Sequence, residues 1–206
     1  MKQIFLADKD EEIKLDVVKI YKDKQYLLQE VLVSAYIKNK NKVFYHYTDL
    51  VGNLTAIFYP RMSNYSKEEV HSLNKNDYSR DLELKKINES NYENIPYSYL
   101  GMINVAESAR QKGIGSTMLQ LQDYLLAKYA SKVCDENAKS AVRGWFVPML
   151  ESDRKSTEMF YRKNNFEFVE GHWDLLREFT AKEILADPKY EKFEELKIKE
   201  YRDFEK

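Results

Sequence analysis

The sequence predicts a mixed α/β domain, and three observations predict it. Short runs of β-branched and aromatic residues are interleaved with segments whose apolar residues recur at helical spacing. With 43% hydrophobic residues in 206, the chain can bury a proper core in one domain. No apolar stretch approaches the roughly 20 residues that cross a bilayer, which excludes a helical membrane class.

Taken in order, Glu12 to Tyr21 alternates and is rich in β-branched residues, so it reads as a strand. Gln25 to Lys38 places Leu28, Val31, Leu32 and Ala35 at helical spacing and reads as an amphipathic helix. Val43 to Thr48 and Leu54 to Tyr59 read as a hairpin with Gly52 in its turn. Residues 61–94 are polar and predict short helices and loops, a setting that often flanks a substrate site. Pro96 to Val105 reads as a strand, and Ser116 to Ala130 as a helix with Met118, Leu121, Leu125 and Tyr129 on one side. Ala141 to Met149 reads as a central strand and Lys155 to Lys163 as a helix. Phe166 to Val169 and Trp173 to Phe179 form a last strand pair across Gly171. Residues 1–180 are expected to form the domain, followed at 181–206 by a charged helical tail opened by a Thr180/Glu183 capping box.

The 33 Lys and Arg nearly balance 34 Asp and Glu, for a net charge of −1. That balance argues against a general phosphate-backbone binder and predicts no nucleic-acid partner. The short N-terminal apolar run and the single Cys134 predict a cytoplasmic protein, with Cys134 a spectator. His46, His71 and His172 are scattered, so no metal site is expected.

The chemistry sits between the strand ending at Val105 and the helix that follows. There the chain reads Arg110-Gln111-Lys112-Gly113-Ile114-Gly115-Ser116. Two glycines let a backbone approach a ligand closely. The helix start behind them offers unpaired N–H groups and a positive dipole end, which suit an anion such as a phosphate. Arg110 and Lys112 add cationic character at the rim. A Walker A loop is excluded because Gly115 is followed by Ser116-Thr117 with no Lys, and a dinucleotide fingerprint because position 118 is Met.

This segment resembles the signature of the GNAT superfamily of acyl-CoA-dependent N-acetyltransferases: Gln or Arg, two residues, Gly, one residue, then Gly or Ala. A second resemblance lies in Phe160-Tyr161-Arg162-Lys163-Asn164-Asn165-Phe166, with Asn165 where the family usually has Gly. Asn is the next-best residue for a left-handed helix cap. Arg154 stands where the family often has an Asn that contacts pantetheine, and residues 61–94 are longer than the usual connection.

The resemblance implies a GNAT-like fold, with a central mixed, mainly antiparallel, twisted sheet flanked by helices and an extra C-terminal helix. It implies acetyl-CoA as co-substrate, its pyrophosphate on the amides from Gln111 to Ser116 and its pantetheine arm along Ile103, Asn104 and Val105. Tyr161 would occupy the place of the general acid, with Phe160 a core residue. An oxyanion formed in the reaction would take an N–H donor from the 103–105 strand. Glu107, Tyr99 and Asn104 are candidates to line the cleft, with no base assigned. The expected acceptor is a small-molecule or peptide amine, and the expected assembly a monomer or homodimer. A protein of the same fold that binds acyl-CoA as a sensor, without turnover, is the alternative.

Overall fold

Strand β1, Glu11–Tyr21, buries Ile13, Leu15 and Val17 and leaves the intervening Glu12, Lys14 and Asp16 half-buried, the period-two pattern of a sheet with one covered face. The computed structural model describes residues 11–21, 29–39, 49–59, 95–145, 153–168 and 174–202.

Beside β1 lies β2, Gln29–Asn39, where the sequence predicts a helix. Val31, Val33 and Ala35 are buried while Leu32, Ser34 and Tyr36 are not. Two apolar periods overlap in this segment. The period-two set prevails because all eleven residues of β2 pair with β1, from Tyr21 opposite Gln29 to Glu11 opposite Asn39, and because Val31, Val33 and Ile37 are β-branched.

β3, Leu50–Tyr59, pairs antiparallel with β2, and Gly52 lies inside it rather than in a turn. A Cβ on Gly52 would meet the Asn104 carbonyl oxygen at 3.0 Å and Met118 Cε at 3.2 Å. The glycine therefore answers to close packing. Val43 to Thr48, residues 61–94 and Gly171 lie outside the described residues.

β4, Tyr97–Val105, β5, Lys139–Trp145, β6, Glu167–Phe168, β7, Asp174–Thr180, and β8, Ile198–Arg202, complete the sheet. Among the described residues it has eight strands in the order β6-β7-β5-β4-β3-β2-β1-β8. Only β4 with β5 and β1 with β8 run parallel. The chain thus builds the mixed, mainly antiparallel sheet flanked by helices that was expected.

Helix α1, Ile114–Val133, covers one face. Ile114, Met118, Leu121 and Leu125 join Leu15, Val33, Leu54, Phe58 and Leu100 in the main core. Tyr59, Tyr97 and Ala141 form a smaller cluster.

The segment after β7 departs from a helical tail. Its capping box forms, with Thr180 Oγ1 accepting from Glu183 N–H at 3.1 Å and Thr180 N–H donating to Glu183 Oε2 at 2.7 Å. The helix it starts, α3, spans only Ala181–Ala186. Pro188 offers no N–H, and the chain tightens into a 3-10 turn, Pro188–Phe193, that inserts Tyr190 and Phe193 into the core against α1. β8 then joins the sheet edge, with Ile198 opposite Val17.

Asp123 of α1 is buried and ion-paired with Arg177 of β7, and it accepts a hydrogen bond from Tyr190 Oη at 3.4 Å. Burial pushes its carboxyl up from 3.8 to about 6, against the pull of Arg177 and Tyr190. The folded protein therefore holds this proton more tightly than the unfolded chain. Its stabilising contribution is full below pH about 4 and is lost as the pH rises through about 6. Urea midpoints measured from pH 4 to 7 are expected to fall further in the wild type than in Asp123→Asn, whose amide does not titrate. Parallel profiles would exclude Asp123 as the titrating group.

Candidate active site

β4 and β5 pair from Tyr97 opposite Ala141 to Leu100 opposite Gly144, and no further among the described residues. At the same point the register of β4 against β3 slips: Leu100 faces Ala56 and Met102 faces Thr55, which leaves Gly101 as a bulge. From Gly101 to Val105 the strand changes from mostly buried to mostly exposed, with β3 as its partner strand on one side. This edge forms one wall of a cavity of about 620 Å³.

The second wall is the loop into α1. Gln111 and Gly113 both take left-handed backbone conformations, at φ 67° and 77°. Gly113 does so without penalty, whereas Gln111 bears a cost of about 1 kcal/mol or more. Gly113 is the residue before α1, and no side chain caps the helix there. Its carbonyl takes both the N–H of Thr117, at 2.9 Å, and the Thr117 hydroxyl, at 3.0 Å. Arg110 Nε donates to the Val105 carbonyl at 3.4 Å, which folds the side chain back across the end of β4.

The third wall is α2, Arg154–Lys163. Phe160 packs between this helix and α1: a Cβ on Gly115 would lie 3.0 Å from two atoms of its ring and 3.6 Å from Val105 Cγ2. Gly115 is therefore buried in a helix–helix contact, a different reason for glycine from approach to a ligand. Tyr161 is 7% exposed, its ring edge-on to Phe160 at 5.2 Å and Phe166 at 5.4 Å. Burial alone pushes its phenol up to about 12. Asn165 adopts the expected left-handed conformation, at φ 62°.

The cavity brings together Ile103, Asn104, Val105, Arg110, Gln111, Gly113, Ile114, Gly115, Ser116 and Tyr161. Lys112 lies in the same loop, half-buried and outside the lining. Phe160, expected in the core alone, lines the cavity as well. Glu107 sits in an exposed 3-10 turn, and Tyr99 packs with the second core cluster, so neither lines the cavity. Asp153 and Ser156, the neighbours of Arg154, line the cavity although Arg154 does not, and Thr157, Met159 and Lys163 were missed. Counting back from Tyr161 by four gives Thr157 and Asp153, and from Phe160 by four gives Ser156, so helical spacing could have found them. The cavity's lining side chains include Arg110 and Lys163 against the single carboxylate Asp153. Among the described residues no group of three or more His, Cys, Asp or Glu could hold a metal ion. None of the described helices is long and apolar enough to cross a membrane.

No protein-family model and no curated protein matches this chain. Solved structures do. A mutant of the AtaT toxin aligns with a TM-score of 0.45 at 14% identity, covering 89% of this chain and 96% of that one. AtaT complexed with acetyl-methionyl-tRNAfMet gives 0.44 at 13%, covering 84% and 98%. A KacTA–DNA complex gives 0.41 at 14%, covering 80% and 74%. The expectation of no nucleic-acid partner, with a small-molecule or peptide amine as acceptor, is corrected by these findings: two of the three structures contain nucleic acid. Physically, a near-zero net charge is a sum over the whole chain and does not fix the charge of any one face.

If Phe160 sets the requirement for glycine, Gly115→Ala is expected to lower stability by about 1–3 kcal/mol, and Phe160→Leu in the same chain to recover most of that loss. Chemical denaturation of the two single variants and the double variant checks this. Losses that simply add would place the constraint elsewhere.

Proposed function

We propose that this chain is an acyl-CoA-dependent N-acetyltransferase of the GNAT kind, with acetyl-CoA as co-substrate. One observation carries the reading: the outer stretch of β4 from Ile103 to Val105, the uncapped N-terminus of α1 and the buried phenol of Tyr161 all line one cavity. An anion, an extended amide-bearing arm and a reacting thioester need these three things in one place.

The first-turn N–H groups of α1, with Arg110 and Lys163 at the walls, suit a pyrophosphate. The backbone from Ile103 to Val105 offers an edge along which pantetheine can lie like an added strand. An amine nitrogen attacks the thioester carbonyl carbon, and the oxyanion takes an N–H from that edge. The C–S bond then breaks, the amide forms, and the sulfur leaves with the electron pair.

At about 12, the Tyr161 phenol stays protonated at neutral pH. A thiol titrates near 8.5, so giving the proton outright to sulfur is uphill. Tyr161 therefore acts as a hydrogen-bond donor to the departing sulfur, and the proton shed by the attacking nitrogen restores the balance. The products are one N-acetylated amine and one free thiol. Because AtaT is known in complex with acetyl-methionyl-tRNAfMet, aminoacyl-tRNA heads the acceptors to test.

Acetyl-CoA titration by calorimetry, with thiol release followed over aminoacyl-tRNAs and free primary amines, tests the reading. Tyr161→Phe is expected to lower turnover by about 10²-fold or more while leaving acetyl-CoA affinity nearly unchanged. A wild-type rate in that variant removes Tyr161 from the chemistry. Binding without thiol release on any acceptor favours an acyl-CoA sensor, and no binding overturns the proposal.

A further inference from the structure

β7 lies two strands away from β4 and contributes nothing to the cavity wall, yet one of its side chains reaches the helix that carries Tyr161. The side chain of Arg177 is 10% exposed. Its Nη2 pairs with Asp123 on α1, its Nη1 donates to the main-chain oxygen of Asn164 at 2.7 Å, and its guanidinium lies 4.3 Å over the ring of Phe166.

Asn164 and Phe166 are the two residues that hold the end of α2. Asn164 N–H is directed at the carbonyls of Phe160, at 3.2 Å, and Tyr161, at 3.0 Å, while its Nδ2 donates to Phe160 O at 2.8 Å. Phe166 N–H donates to Tyr161 O at 3.1 Å, and its ring meets the Tyr161 ring edge-on at 5.4 Å. Both residues rest on the same guanidinium. We infer that Arg177 is the positioning residue for Tyr161, holding the phenol at the cleft from outside the cavity by clamping the end of α2 to Asp123 of α1.

The residue type fits the task. A guanidinium is a rigid fork that bonds two groups at once and stacks on an aromatic face. An ammonium is a point charge and cannot do all three. A buried ion pair contributes little net stability compared with apolar residues of the same volume, so its use here is to fix geometry.

The inference rests on the acyl-transfer reading, and one experiment separates the two. In the full chain labelled with 13Cζ-tyrosine, the Tyr161 resonance is the one missing from Tyr161→Phe, and coenzyme A is the probe. Saturating coenzyme A is expected to shift that resonance in the wild type. In Arg177→Lys coenzyme A is likewise brought to saturation, so that any change in affinity through Lys163 at the end of α2 does not enter the comparison. The Tyr161 resonance of the free variant should move and lose its response to coenzyme A.

A merely structural Arg177 would lower Tm and leave the Tyr161 resonance in place, and that result in folded Arg177→Lys overturns the inference. Should this variant fail to fold, Asp123→Asn removes the charge that anchors the guanidinium and leaves the rings beside Tyr161 in place. The same shift is expected there, and an unmoved resonance overturns the inference equally. A wild-type resonance that ignores bound coenzyme A strikes the acyl-transfer reading instead and leaves the Arg177 result standing.

Discussion

The structure turns on the close parallel contact of β4 with β5. Two parallel strands pair through four residues, and the last pair sets Leu100 against Gly144. A Cβ on Gly144 would sit 3.3 Å from both Leu100 Cβ and the Leu100 carbonyl oxygen, so glycine is what lets the two strands approach this closely. The bulge at Gly101 follows at once in the pairing of β4 with β3. Beyond it, Ile103 to Val105 line the cavity, walled also by the two helices whose sequences carry the conspicuous residues.

Much of this was legible in the sequence, and the reasons are local. The loop from Arg110 to Ser116 can be read because its constraints, a left-handed glycine and a helix start, are properties of adjacent residues. Tyr161 and Asn165 could be placed for the same reason. β2 was misread because Val31 and Ala35 fit both a helical and a strand period, and only the partner strands decide between them. Gly52 lies in a strand and not in the expected turn, and Gly115 belongs to the expected motif for a different cause. The atoms that exclude a side chain belong to Met118, Asn104 and Phe160, far away in sequence. Arg177 carried no signal at all, since an arginine in a strand reads as an exposed charge until its neighbours are known.

Two neighbouring buried polar residues of α1 share one arrangement. Besides Asp123, Gln122 of α1 is fully buried and its Nε2 donates to Ser98 Oγ of β4 at 2.8 Å. Consecutive residues of one helix thus reach in different directions, one to the strand that forms the cleft and the other to the strand that anchors α2. Apolar packing tolerates sliding between layers, whereas hydrogen bonds of fixed direction do not. These two contacts fix the register of α1 over the sheet, and so the place where its N-terminus meets the cavity.

The parallel pairing of β8 with β1 bears on how the chain folds during synthesis. Val17 and Ile198 meet across about 180 residues of intervening sequence, among the longest closures the sheet contains. β1 and β2 can pair as soon as both have left the ribosome, but the outer edge of β1 stays bare until the segment beyond Phe193 emerges. During that interval the nascent domain presents an open strand edge, the feature most prone to pair with another chain. Lys19, within the stretch of β1 that β8 later covers, places a charge on that edge while it waits.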